Sequence, residues 1–229
     1  MTIPRKLHQV WLGPRRCPIE AINTWRDKNP SFEHKLWTEE DLPNLTLRNR
    51  NLFDAFHGVY HAQADILRYE LLYQLGGMAL DADSICVRPL DDRFFDTNVT
   101  EGAWACSENK SGLLACGFIG GEAGHPLFNA LLNELQNLDV EAISNETREE
   151  LHGATWVLTG PCCLSEVVKA GKLNIRVFPG HWFFPTHHDG TEYTGEDQPF
   201  AYHWWGTTHK SYENPVVIDA VKKIIDQHK

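Results

Sequence analysis

The chain has 229 residues, 42% hydrophobic and 23% charged, which is ordinary for a globular protein able to bury one substantial core. Its formal net charge of −10 argues against a nucleic-acid partner, because phosphate neutralisation needs a basic patch and no cationic run exceeds two residues, as at Arg5-Lys6 and Arg15-Arg16. No stretch approaches the ~20 apolar residues of a membrane span, and MTIPRKLHQVWLGP lacks the apolar core of a signal peptide, so the expected location is cytoplasmic with at most peripheral membrane contact.

Leu7 to Leu12 is predicted to be a first strand, ended by Gly13-Pro14. Pro18 to Lys28 has helical spacing, with Ile19, Ile22 and Trp25 on one face, and Phe32 to Trp37 follows as a second strand. Strand, helix, strand opens a parallel α/β sheet. Glu39 to Asn51 reads as a polar loop, and a weak helical stretch lies around Leu52 to Phe56. The segment from Ala64 to Pro89, ADILRYELLYQLGGMALDADSICVRP, carries the strongest pattern. Ala64, Leu67, Leu71, Leu72 and Leu75 form an apolar helical stripe, and Gly76-Gly77 stops that helix, since glycine takes a left-handed position without a Cβ clash. Met78-Ala79-Leu80 is then a short strand that delivers Asp81 and Asp83.

Further on, Ala103 to Cys106 and Leu113 to Ile119 read as strands, and His125 to Leu138, Thr147 to His152 and Pro161 to Ala170 as helices. Asn174 to Phe178 is a strand and Pro215 to Gln227 an amphipathic helix with Val217, Val221, Ile224 and Ile225 inward. The aromatic, glycine- and histidine-rich run from Gly180 to Tyr212 has no period that assigns it. With no repeat or linker, residues 1–229 are expected to form one α/β domain. The six cysteines lack CxxC pairs and read as free thiols.

Alternate residues of an extended chain share a face, so Asp81 and Asp83 can point to one place, where two carboxylates repel unless a cation lies between them. Oxygen ligands of this kind suit Mn²⁺ or Mg²⁺, which in turn hold a diphosphate. The plainer alternative is a solvated acidic loop, and the glycine pair and strand just before the acids favour the metal. Asp65 and Arg68 share a helix face and are either an exposed ion pair or a sugar-binding pair aimed at the same cleft. Trp11, at the end of the first strand, is either a core residue or a surface on which a nucleobase stacks. His203 is a candidate third metal ligand, beside Trp204 and Trp205 as a sugar-stacking platform on the acceptor side. His187-His188-Asp189 is expected to be a plain loop. GxSxG, P-loop and HExxH motifs are absent from the sequence.

Several segments together resemble the DXD-type sugar-binding glycosyltransferases of family 32, a group similar to the Och1-type mannosyltransferases and lactosylceramide galactosyltransferases and, more distantly, to the large clostridial glucosylating toxins. They are IPRKLHQVWLGP, INTWRDKNP and the whole of ADILRYELLYQLGGMALDAD, with Gly124-His125-Pro126, Thr159-Gly160-Pro161 and His203-Trp204-Trp205 in order behind them. The resemblance implies a GT-A fold, a Rossmann-like mixed sheet flanked by helices. It also implies retaining transfer of a hexose from a nucleotide-sugar, preferably a UDP-sugar with a GDP-sugar as the alternative, to a glycan or lipid-linked glycan hydroxyl, aided by Mn²⁺ or Mg²⁺. Val10 and Trp11 would bind the donor, with the indole on the base. Asp65 and Arg68 would hold the sugar, Asp81 would touch hydroxyls and assist the metal, Asp83 would ligate it, and His203 would complete the metal or diphosphate site. Ala79 stands where the family often has an aromatic residue, and Cys116 lies near its usual asparagine, changes that bear on donor identity. The rivals are a metal-dependent nucleotide-sugar hydrolase and a non-catalytic carbohydrate-binding module.

Overall fold

A computed structural model of the chain describes residues 2–109 and 111–228. In chain order the elements are β1 (Lys6–Val10), α1 (Ile19–Lys28), β2 (Glu33–Trp37), α2 (Arg50–Ala55), α3 (Tyr60–Leu75), β3 (Gly77–Leu80) and β4 (Ser84–Cys86). Then follow α4 (Thr97–Thr100), β5 (Ala103–Ser107), β6 (Leu114–Gly121), α5 (Pro126–Gln136), α6 (Val140–Asn145), α7 (Arg148–Leu158), α8 (Pro161–Ala170), β7 (Arg176–Phe178), β8 (Ala201–His203) and α9 (Pro215–Gln227). The main sheet has the order β2-β1-β3-β6-β5-β7, and β4 and β8 form a separate ribbon. β1 runs parallel to β2 and β3, as strand-helix-strand connections require, whereas β6 is antiparallel to both β3 and β5. The result is a mixed sheet flanked by helices, the architecture that the resemblance implies.

Both faces of the sheet are covered, and the period of two is visible in β3: Ala79 packs with one apolar cluster, Met78 and Leu80 with the other. The first cluster draws most on α3 and α5, with smaller shares from α2, α8 and the inner strands. The second is aromatic and takes in Trp25, Phe94, Trp104, Phe118, Phe178 and much of the run that sequence periodicity left unassigned, namely Trp182, Phe183, Phe184 and Phe200. That run turns out to be core filler in irregular backbone plus the short strand β8, which explains its lack of period. Among the described residues no helix is long and apolar enough to cross a membrane, and all six cysteines are free thiols.

Four expectations are corrected. α3 begins at Tyr60 and is buried on nearly all sides, Asp65, Arg68 and Glu70 included, so it is a central core helix and not an amphipathic one. Ile19 is exposed, although Ile22 and Trp25 are buried as expected. Gly76 does end α3 at φ +62°, but its ψ of −172° lies outside the left-handed helical region, in a region essentially reserved for glycine. Thr147 caps a helix that continues to Leu158, well past His152.

Candidate functional site

β3 ends by leading Asp81 to Gly117 of the neighbouring strand, where the Asp81 N–H donates to the Gly117 carbonyl at 2.9 Å. The chain then turns, and Ser84 of β4 pairs directly opposite His203 of β8. That register, together with a 2.8 Å bond from Trp204 N–H to the Asp83 carbonyl, brings His203 beside both acids. His203 Nε2 lies 3.0 Å from Asp81 Oδ2 and 3.5 Å from Asp83 Oδ1. Among the described residues this is one group of three whose ligand atoms all fall within 4.8 Å of one another. Such spacings suit a hard divalent ion, whose adjacent ligands in an octahedron with bonds of ~2.1 Å stand about 3 Å apart.

The acids have different surroundings. Asp83 Oδ2 accepts from Gly206 N–H at 2.8 Å and from the Tyr212 hydroxyl at 2.9 Å, leaving Oδ1 to face His203. Asp81 Oδ1 is held by Arg68 Nη2 at 2.5 Å and Oδ2 by His203. Arg68 is itself buried, and its Nη1 donates to Asp65 Oδ1 at 2.9 Å and to the Cys116 carbonyl at 2.8 Å. Thr159 Oγ1 donates to the other Asp65 oxygen at 3.0 Å. One guanidinium therefore sits between the two acids Asp65 and Asp81.

Electrostatics separate those acids further. Burial alone would raise the Asp81 carboxyl, yet Arg68 and then His203 outweigh it and hold the group far below the usual carboxylate range. Burial wins at Asp65, pushing it up to about 6 against the pull of Arg68. At His203 burial opposes the charged form, but Asp83 and Asp81 raise its affinity for a proton.

A cleft of about 460 Å³ opens beside this group, within the range of roughly 300–1,000 Å³ typical of small-molecule sites. Asp81 and His203 line it with Cys116, Gly117, Phe118, Phe184, Trp205 and, at the mouth, Trp156, which is 50% exposed. Trp205 faces the cleft as a platform, whereas Trp204 packs on Tyr212 and beside α1 and α9. Trp11 stacks edge-on against Tyr212 with ring centres 5.0 Å apart, so Trp11, Tyr212 and Asp83 form one chain of contacts. Val10 is buried at the end of β1 in the first core cluster. His187, His188 and Asp189 lie in a loop, with His187 Nδ1 3.1 Å from Asp189 Oδ1 but without hydrogen-bond geometry.

Five residues at the site have no role in the sequence reading: Gly117, Thr159, which figures there only within Thr159-Gly160-Pro161, Tyr212, Glu108 and Trp156. Gly117 had a signal in the glycine-rich run before Gly121, and its role is steric. A Cβ there would meet Asp81 Oδ2 at 1.9 Å, so the acid occupies the space a side chain would fill. Gly117→Ala is therefore expected to displace Asp81 and weaken cation-dependent nucleotide binding at least about tenfold, as read by calorimetry; unchanged binding would show that Asp81 does not need this place.

Glu108 lines the same cleft at 8% exposure, and burial lifts its carboxyl to about 7, with His203 pulling the other way. Because the folded value lies above the unfolded one, the folded chain binds the extra proton, and stability falls as pH rises from roughly 4.3 to 7. Glu108→Gln should match wild-type stability in urea at pH 4 and exceed it by about 2 kcal/mol at pH 8. Equal stability at both values would contradict the raised carboxyl.

Comparison with known proteins agrees with the geometry. Residues 16–100 match the family described as "Glycosyltransferase sugar-binding region containing DXD motif". The chain is 30% identical over 142 residues to inositol phosphoceramide mannosyltransferase 3 of Schizosaccharomyces pombe, covering 59% of this chain and 37% of that protein's length. In fold it is similar to the PaToxG glycosyltransferase, with a TM-score of 0.56 at 16% identity over 74% of this chain and 70% of that one. It is also similar to the UDP-bound glycosyltransferase domain of the YGT toxin, with a TM-score of 0.53 at 11% identity over 97% and 89%.

Proposed function

We propose, from the match of residues 16–100 to the family of glycosyltransferase sugar-binding regions containing a DXD motif, that the chain moves a hexose from a nucleotide-sugar onto a glycan or glycolipid hydroxyl. The observation that carries the reading is the convergence of Asp81, Asp83 and His203 on one point at the side of a cleft that also reaches the Arg68 network. UDP is the preferred nucleotide, a preference supported by the UDP-bound neighbour of the same fold. The curated relative's name supports a mannosyl donor and a glycolipid acceptor as the other pairing to test.

Charge developing on the departing diphosphate would be neutralised by a Mn²⁺ or Mg²⁺ ion held by Asp83, Asp81 and His203. Asp83 offers Oδ1 as the direct ligand, its other oxygen being held in place by Gly206 and Tyr212. Arg68 keeps Asp81 ionised and fixes its direction, which limits the reorganisation needed when a donor binds. Asp65 and Arg68 orient the donor sugar through its hydroxyls, and Trp11 contributes to nucleotide binding from beside Tyr212. Retention follows if the acceptor hydroxyl attacks from the face the diphosphate leaves. Trp205 and the exposed Trp156 offer the aromatic surfaces on which an acceptor glycan would lie.

The test is a thermal-shift screen of UDP, GDP, UDP-hexoses and GDP-mannose with MnCl₂, followed by product analysis with and without oligosaccharide acceptors. Ligand at about a hundred times its Kd should stabilise the fold by about 2.7 kcal/mol, and EDTA should abolish the shift. Free hexose released at equal rates without acceptor would favour hydrolysis over transfer. A screen with no shift would sink the reading.

A further inference from the structure

The cleft contains an acid that the diphosphate-and-metal reading does not use. Glu108 follows directly on β5, where its N–H donates to the Leu113 carbonyl at 2.6 Å across the turn into β6. Its side chain is buried, with 11% of its surface exposed, and lines the cleft together with Cys116, whose carbonyl anchors Arg68. Among the described residues no group donates a hydrogen bond to it. The nearest cationic candidate, His187 Nε2, stands 4.0 Å from Oε1, and neither ring nitrogen of His187 is hydrogen-bonded.

A buried carboxyl without a protein donor calls for a donor from elsewhere. Glu108 feels the charges of His203, Asp81 and Asp65, so it belongs to the same enclosed space as the proposed cation site and the sugar-holding pair. A diphosphate is repelled by a carboxylate and a nucleobase finds its partner at Trp11, whereas a hexose presents several hydroxyl donors and an apolar face for Phe184 and Trp205 nearby. We propose that Glu108 accepts a hydrogen bond from a hydroxyl of the donor hexose and so helps to select the sugar. This rests on the reading of the cleft as a nucleotide-sugar site.

The experiment is calorimetry of the wild type and Glu108→Gln with UDP, UDP-glucose, GDP and GDP-mannose, all with MnCl₂, together with melting curves at pH 7.5. The wild type should bind a sugar nucleotide more tightly than its matching nucleoside diphosphate. Glu108→Gln should keep the nucleoside diphosphate Kd within about twofold and weaken the sugar nucleotide about tenfold, the scale of one lost charge-assisted bond. Its melting temperature should stay level or rise, whereas a structural role would lower it. Equal weakening of both ligands, or no change in either, overturns the proposal, as does loss of transfer to an acceptor with sugar-nucleotide affinity intact. A wild type that binds neither nucleoside diphosphate instead overturns the site as a whole, a result distinct from failure of Glu108 alone.

Discussion

Asp83→Asn is expected to lower transfer about a thousandfold while leaving the melting temperature within about 2 °C of wild type. The asparagine oxygen can take the place of Oδ2, accepting from Gly206 N–H and the Tyr212 hydroxyl as the acid does. Its amide nitrogen then replaces Oδ1, facing His203 and the cation position with donors and no charge. Asp83→Ala behaves differently: it strips both donors of their acceptor in a buried place, at a cost of about 2 kcal/mol or more. Alanine is thus expected to cost activity and stability together, whereas asparagine costs activity alone. Kinetics and melting curves on the two variants separate the roles. Near-normal turnover in Asp83→Asn would remove the acid from the metal site.

Arg68→Met is expected to cost about 3–5 kcal/mol and to lower the melting temperature by about 10 °C. Methionine fills similar space but leaves Asp65 and Asp81 facing each other without the cation between them and leaves the Cys116 carbonyl without its donor. Both carboxyls would then bind protons more readily, so the loss should be larger at pH 8 than at pH 5. Adding Asp65→Asn should recover part of it, because one of the two stranded charges disappears; Thr159 can still donate to the amide oxygen. The double-mutant cycle measures that recovery as a coupling energy between contacting residues. An Arg68→Met protein that melts within about 2 °C of wild type would show that the guanidinium is not the keystone of this network.

Local patterns made part of this site legible. The helix, glycine pair and strand from Tyr60 to Leu80 are contiguous, and each signal there is a matter of neighbouring residues: spacing, a backbone conformation reserved for glycine, a short apolar run. That route singles out Asp65, Arg68, Asp81 and Asp83, and the two following tryptophans single out His203; the fold brings all five together. What stayed hidden depends on pairings far apart in sequence. β4 and β8 are three residues each, too short for an alternating pattern, and they exist because they pair with each other. Tyr212 and Thr159 matter for a single hydroxyl each, and nothing local distinguishes those hydroxyls from others. Burial of Arg68 was unreadable because an ion pair three residues apart on a helix looks the same whether it faces water or core.

The ribbon that places His203 opposite Ser84 has a consequence for the order in which the protein can become competent. Asp81 and His203 are separated by 122 positions, and the second of them arrives on the last described strand. A nascent polypeptide that has already threaded out the whole matched region, residues 16–100, still has two acids and nothing to close the circle. Under the proposed function, capture of a nucleotide would wait for the segment from Ala201 to Tyr212, and a product cut short before it is expected to bind none even with Asp81 and Asp83 intact.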